Sequence, residues 1–216
     1  MGVAELADAA LVGRVDAREA QSPWDDTAQA LHAMLCEPER TWLKIDIDDA
    51  ASVFVDSRLR AFERPDAAQP LPEAPRTVRL QSTIVPFDAH PPFAPPGESL
   101  DILLWTVGLL AFDGRPAPWL GAADRYRLRR WPNFTLLAHS IDQMRLTAQI
   151  GSRLHSVDEM AAATGVERAA AQALINALSL MGILHSAPAV AGGAAAPVAS
   201  SPATGLFARL RRRLGL

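Results

Sequence analysis

The chain has 216 residues, of which 49% are hydrophobic and 21% charged, as is typical of a soluble globular protein with one or two domains. The net charge is −3, and because the last 14 residues carry four arginines and no acid, the rest sums to −7, which argues against non-specific nucleic-acid binding by the body of the protein. The single cysteine, Cys36, excludes an internal disulfide framework. No apolar run reaches the roughly 20 residues of a membrane span, and the N-terminus lacks the basic head of a signal peptide. We therefore expect a cytoplasmic protein, with Cys36 buried near a helix end.

Residues 1–98 are predicted to form an α+β unit, a small antiparallel sheet packed on helices. Ser22 followed by Pro23 is a typical helix start, since the hydroxyl caps the first turn and proline fits inside it. Thr41 to Ile47 alternates apolar and polar side chains, which predicts a strand with one buried face. Further strands are predicted at Ala9–Val15, Ser52–Val55, Leu59–Glu63 and Thr77–Val85.

Residues 99–131 are predicted to join this sheet to a C-terminal module. Ser99 caps a helix, Leu100 to Phe112, that is apolar almost all round and too short to cross a bilayer, so it should be buried. From Asp124 to Trp131, arginines alternate with Tyr126 and Leu128. We interpret this run as an arginine-aromatic hinge between domains, while contact with phosphate or RNA is the alternative.

Residues 132–186 are predicted to form a winged-helix-like module. Ser140 with Gln143 and Ser156 with Glu159 are two capping boxes that open helices, and Gly165 suits a left-handed helix end. The apolar face of the first helix is predicted to consist of Leu137, Ile141, Met144 and Ala148. A third helix spans about Val166 to Met181. One strand follows it, at residues 182–185, without an obvious returning strand in the wing.

The third helix carries an outward polar stripe in the prediction, formed by Arg168, Gln172, Asn176 and Ser179. Arg, Gln and Asn can pair with base edges, so Arg168, Gln172 and Asn176 could read a major groove, with Arg129 and Arg130 on phosphates. However, residues 139–186 hold three arginines against four acidic residues, which is not the positive field of a groove-binding helix. A solvated or protein-contact face is therefore the favoured interpretation.

The C-terminus combines a linker with a basic amphipathic tail. Residues 187–204 are rich in Ala, Gly, Pro and Ser, which predicts a flexible linker. In residues 205–216, four apolar side chains share one helical face and four arginines occupy the rest; they are Leu206, Phe207, Leu210 and Leu214, and Arg209, Arg211, Arg212 and Arg213. Such a tail is predicted to bind a groove on a protein partner or an anionic membrane surface.

Motifs of known catalytic and cofactor sites are missing from the sequence. It contains no Walker loop, GxGxxG, GxSxG, CxxC or HExxH pattern, and its five histidines are scattered. Asp46 to Asp49 follows an apolar strand but lacks the glycine and glutamate of a calcium loop. We therefore expect no cofactor, no metal and no enzymatic activity.

The segment from Tyr126 to Leu184, with its Arg-Leu-Arg-Arg-Trp-Pro-Asn-Phe entry, resembles a group of little-characterised proteobacterial winged-helix-containing proteins. The sheet-containing half of that group is similar to Trp42–Phe62. The resemblance implies a regulatory partner of roadblock-type proteins and MglA-like GTPases, or of type IV pilus motility systems. It implies no catalytic residue.

These observations predict a non-enzymatic, cytosolic signalling adaptor. Its winged-helix-like domain and basic tail would bind a protein partner, and the tail could also attach to an anionic membrane surface. The alternative is a DNA-binding winged-helix transcriptional regulator.

Overall fold

The computed structural model describes residues 22–37, 41–48, 51–86, 88–121 and 123–188. Within these ranges the fold is α+β, as predicted, with an antiparallel sheet in the N-terminal half and three consecutive helices in the C-terminal half. The predicted strand Ala9–Val15, nearly all of the linker and the whole tail of residues 205–216 lie outside the described residues.

The sheet has five antiparallel strands in the order β4-β1-β2-β3-β5. The strands are β1 (Thr41–Ile47), β2 (Ala51–Asp56), β3 (Ala61–Glu63), β4 (Val78–Ile84) and β5 (Glu98–Ser99). Leu43, Ile45 and Ile47 are buried while the side chains between them are half-buried, so the predicted alternation of β1 is confirmed. The core covers only the first half of β4, because Val78 and Leu80 are half-buried while Ser82 and Ile84 are exposed.

Helix α1 (Asp25–Cys36) buries Trp24, Ala28 and Leu31 in the core. The helix begins three residues after the predicted cap Ser22, whose Oγ accepts a hydrogen bond from the backbone N–H of Trp24 at 3.3 Å. The same hydroxyl donates to the carbonyl of Leu110 at 2.8 Å. Cys36 is exposed, not buried as predicted, and its Sγ lies 3.6 Å from His32 Nε2.

Helix α2 (Leu100–Leu110) packs closely on helix α5 (Arg168–Leu180). The closest approach is at Gly108, where an added Cβ would lie only 2.5 Å from the Cα of Ala177. A second contact follows at Gly114, where an added Cβ would lie 2.7 Å from the Cβ of Ala169. The apolar helix predicted between the two halves is therefore a buried helix, in contact with both.

A short 3-10 helix (Ala111–Gly114) follows α2 and is held in place by Asp25. Phe112 and Asp113 adopt φ angles of 66° and 46°, in the left-handed region that side chains disfavour. The carboxylate of Asp25 accepts a hydrogen bond from the backbone N–H of Phe112 at 2.6 Å and pairs with Arg115 at 3.2 Å. Burial raises the pKa of Asp25, and the hydrogen bond from Phe112 opposes that rise.

The C-terminal module consists of β6 (Arg125–Leu128), α3 (Ile141–Gln149), α4 (Val157–Thr164), α5 and β7 (Leu184–Ala187). Both predicted capping boxes are confirmed, and Gly165 adopts a φ of 70° at the end of α4. Strand β7 pairs with β6, in the register Leu128 to Leu184. The prediction of a hinge at residues 124–131 is therefore wrong, because this segment forms β6, the strand that pairs with β7. The partner of β7 thus comes before the three helices in the chain and not after them.

Buried side chains from both halves form one continuous core. It extends from Leu31 and Ile45 in the N-terminal half to Leu146 and Leu178 in the C-terminal module, across the predicted boundary at residue 132. No helix among the described residues is long and apolar enough to cross a membrane.

The contact between α2 and α5 predicts the sign of a stability change. In an unobstructed helix, Gly→Ala raises stability by about 1 kcal/mol. At Gly108 the added methyl would enter the α5 backbone, and overpacking of this kind costs about 1–3 kcal/mol. We expect Gly108→Ala to lower the free energy of unfolding, measured by urea denaturation.

A matched variant, Ala148→Gly on the exposed side of α3, measures the propensity effect alone and should cost about 1 kcal/mol. A stability gain in Gly108→Ala would contradict the close approach of the two helices.

Candidate functional site

Most of the polar stripe of α5 packs against the segment that follows α2, and only Arg168 at its start is exposed. Asn176 is fully buried, and its Oδ1 accepts hydrogen bonds from the backbone N–H of Ala117 at 3.1 Å and from Gln172 at 3.0 Å. Its Nδ2 donates to the carbonyl of Arg115 at 2.8 Å. The prediction that Gln172 and Asn176 face outward is therefore wrong.

Trp119 covers the other end of the same stripe. Its indole N–H donates to the hydroxyl of Ser179 at 2.9 Å, and its ring stacks on His32 of α1 at 4.0 Å. Side-chain amides and hydroxyls at helical spacing can form hydrogen bonds equally well with water, with bases or with the backbone of a loop. The sequence pattern could not distinguish these partners, and the structure shows that they are loop backbone and Trp119.

The arginines of the predicted DNA-binding set are exposed, but they lie on separate elements. Arg168 pairs with Asp158 of α4 at 2.7 Å, and Arg130 pairs with Asp101 of α2 at 3.6 Å. Arg129 is exposed, and its backbone N–H donates to the carbonyl of Ile183 at 2.9 Å. The structure therefore does not join these arginines to Gln172 and Asn176 in one base-reading surface.

Of the apolar face predicted for α3, Leu137 is buried before the helix begins, whereas the three residues within the helix are exposed. Ile141 and Met144 are 64% and 40% exposed, and Ala148 is exposed as well. The buried side is formed by Leu146 and Thr147, whose hydroxyl donates to a backbone carbonyl of its own helix and so needs no outside partner. The apolar residues of α3 occupy two faces, and the sequence prediction chose the wrong one.

Trp131 extends this exposed face beyond the C-terminal end of α3. Its side chain lies against Gly151, where an added Cβ would be 3.1 Å from the indole ring and 3.3 Å from the carbonyl of Ala148. Trp131 is itself 56% exposed. We call these exposed residues the α3 stripe; they are Trp131, Ile141, Met144 and Ala148.

A groove of about 460 Å³ borders α2, and we call it the α2 groove. Its floor includes Ile102, Thr106 and Leu109, its first wall comes from residues 64–73, and its second wall includes Leu136. The hydroxyl of Thr106 donates to the carbonyl of Ile102 at 2.9 Å, so the floor presents mainly apolar surface.

A polar cleft lies beside β6 and α4. Arg125 pairs with Glu159 at 2.6 Å, and Arg153 donates through Nε to His155 Nε2 at 3.0 Å. Burial lowers the pKa of His155, and the positive charge of Arg153 lowers it further. The backbone of His155 also exchanges two hydrogen bonds with Tyr126, which ties this cleft to β6.

In the described part of the chain, no group of three or more His, Cys, Asp or Glu residues is placed to hold a metal ion. The eight predicted partner-binding residues of the tail, Leu206 to Leu214, lie outside the described residues. Among the described residues, the α3 stripe and the α2 groove are therefore the main candidate surfaces.

Comparison of the chain with protein-family models, with curated proteins and with solved structures gives no match. The resemblance of residues 126–184 to proteins of motility systems therefore stays a prediction.

The buried amide of Asn176 predicts a structural role for the α5 stripe. Asn176→Ala would remove the acceptor of the Ala117 N–H and of the buried Gln172 side-chain amide, and each unsatisfied buried group costs about 1–3 kcal/mol. We expect a loss of at least 2 kcal/mol in the free energy of unfolding by urea denaturation.

Arg168→Ala is the matched control, because its pair with Asp158 is exposed and such pairs contribute about 0–1 kcal/mol. Equal effects of the two substitutions would show that Asn176 is not packed as described.

The cleft at His155 predicts a pH dependence of stability. The folded state lowers the pKa of His155 below its ordinary value of 6.5, so the unfolded chain binds this proton more readily. Stability is therefore fully present above pH 6.5 and decreases as the pH falls towards the folded pKa. When the pH is lowered from about 7.5 to about 5.5, one unit on either side of the ordinary histidine pKa, His155→Gln should lose less thermal stability than the wild type. The same slope in both proteins would assign the pH dependence to other groups.

Proposed function

We propose that this protein is a cytoplasmic, non-enzymatic signalling adaptor that binds a protein partner through the α3 stripe. One observation carries the proposal: three of the six exposed large hydrophobic side chains in the described residues, Trp131, Ile141 and Met144, belong to the α3 stripe. Single exposed apolar residues are common on protein surfaces, whereas gathered ones are typical of interaction sites.

The composition of the α3 stripe matches the centre of a protein interface. Tryptophan and methionine are enriched at such centres, while charged residues lie at the rim. Asp142 and Arg145 form an exposed ion pair at 3.3 Å, one turn apart on the same helix, and their sequence positions place them beside the stripe. The arrangement supports an apolar contact with a polar edge.

The size of α3 indicates that a second element contributes to binding. Its nine residues give a helix about 13 Å long. A standard interface buries about 800 Å² on each partner, which is more than one short helix supplies. The basic tail, with Leu206, Phe207 and Leu210 as anchors and its arginines attracting acidic surface, is the proposed second element. The first partners to test are those that the resemblance implies, a roadblock-type protein or an MglA-like GTPase.

The structure favours this proposal over base-specific DNA reading. Gln172 and Asn176, which would supply the adenine contacts, are buried against residues 115–119. The exposed arginines Arg168 and Arg130 already pair with carboxylates. Attachment of the tail to an anionic membrane is compatible with the adaptor.

The proposal predicts that binding depends on the exposed residues of α3. A photo-crosslinking amino acid at position 141 of the full chain identifies the protein that it contacts in bacterial lysate, with the same amino acid at position 84 as background. The purified partner is then titrated against Ile141→Glu/Met144→Glu. We expect its Kd to rise at least about tenfold, because each buried side chain of this type contributes about 1.5–3 kcal/mol.

Ile84→Glu is the matched control, since Ile84 is 66% exposed on β4, outside the stripe, and its variant should bind with unchanged Kd. If Ile84→Glu raised the Kd as much as the double variant, the α3 stripe would not be the binding site. Recovery of nuclease-sensitive DNA by the wild type and the double variant would support the DNA-binding regulator instead.

A further inference from the structure

Helix α2 is apolar on all sides, but one of its sides is not covered by the described residues. Nine of its eleven residues, all but Asp101 and Thr106, are apolar or glycine, and the sides facing the core and α5 are buried. Ile102, Thr106, Leu109 and Leu110 are only half-buried, and they lie in the α2 groove. The groove is therefore an apolar surface of a core helix that is open to an occupant.

The described chain begins at one end of this groove. The hydroxyl of Ser22 donates to the carbonyl of Leu110, a groove residue, at 2.8 Å. The indole N–H of Trp24 donates to the carbonyl of Pro72 at 3.1 Å, between the groove residues Leu71 and Glu73. The point where residues 1–21 join the fold thus touches both the floor and the first wall.

Residues 1–21 include an apolar stretch with enough reach to occupy the groove. Between Ala9 and Val15 the sequence is Ala-Ala-Leu-Val-Gly-Arg-Val, in which only Arg14 is charged. Seven residues separate Val15 from Ser22, and a chain of that length spans at most about 23–25 Å. The floor from Leu110 to Ile102 is eight helical residues, or about 12 Å. The stretch can therefore lie anywhere along the floor.

We propose that residues 9–15 occupy the α2 groove, whose floor is formed by Ile102, Thr106 and Leu109. A segment tethered this close to its binding surface has an effective concentration in the millimolar range, so modest apolar contacts suffice to hold it. The amphipathic tail is separated from the last described residue by 16 residues, and nothing in the described structure places it at the groove.

Occupation of the groove also places the N-terminal segment next to the α3 stripe. Leu136, 52% exposed, belongs to the second wall of the groove and lies five residues before Ile141. This inference uses no property of the partner and stands or falls separately from the adaptor proposal.

Thiol protection in the full chain tests the proposal. Cys36, the only native thiol and an exposed one, is replaced by serine, and Val12→Cys supplies a probe. Its reaction rate with a maleimide is compared with that of Ala4→Cys in the same Cys36→Ser background. We expect Val12→Cys to react at least tenfold more slowly.

Groove variants show whether the protection comes from the groove. Thr106→Arg places a charge on the floor, and Leu136→Asp places one on the half-exposed wall, where folding tolerates it. Either variant should return the rate at Val12→Cys to that of Ala4→Cys. Equal rates in the parent protein, or protection unaffected by both groove variants, would overturn the proposal. A Phe207→Cys probe that is protected and released by the groove variants would assign the groove to the tail and would overturn it as well.

Discussion

The close approach of α2 and α5 at Gly108 and Ala177 is the contact on which the rest of the fold depends. Because Gly108 has no side chain, the two helix backbones come near enough to bury the apolar surfaces of both. The chain leaving α2 must then turn sharply over α5. Asp25 stabilises that turn by accepting the hydrogen bond of Phe112, whose left-handed conformation is otherwise unfavourable. The sheet domain and the helical module are consequently built on one core.

This packing decides which helix of the module is available for binding. The segment that turns over α5 covers the face that a DNA-binding helix would present, and its backbone groups satisfy the amide of Asn176. Helix α5, the third helix of the module, is therefore packed in the core, and the exposed apolar surface lies on α3, the first helix. The order of helices in such a module does not by itself establish which helix meets the ligand.

Local features of the fold could be predicted from the sequence because their causes are local. The capping boxes at Ser140 and Ser156, the left-handed Gly165 and the alternation of β1 each depend on residues a few positions apart. The orientation of α3 could not be predicted, since Leu146 and Ile150 offer a second apolar face beside Ile141 and Met144. The hydrogen-bond partner of Asn176 could not be predicted either, because Ala117 lies 59 residues away in the sequence.

The pairing of β6 with β7 has a consequence for biosynthesis. Its two strands enclose α3, α4 and α5 in the sequence, so the module is complete only when residue 187 has emerged from the ribosome. Until then Tyr126 and Leu128 lack the strand that covers them, although the three helices can already form through local contacts. The sheet of this half of the protein is thus closed by a long-range contact, which a four-residue strand at its C-terminal end makes.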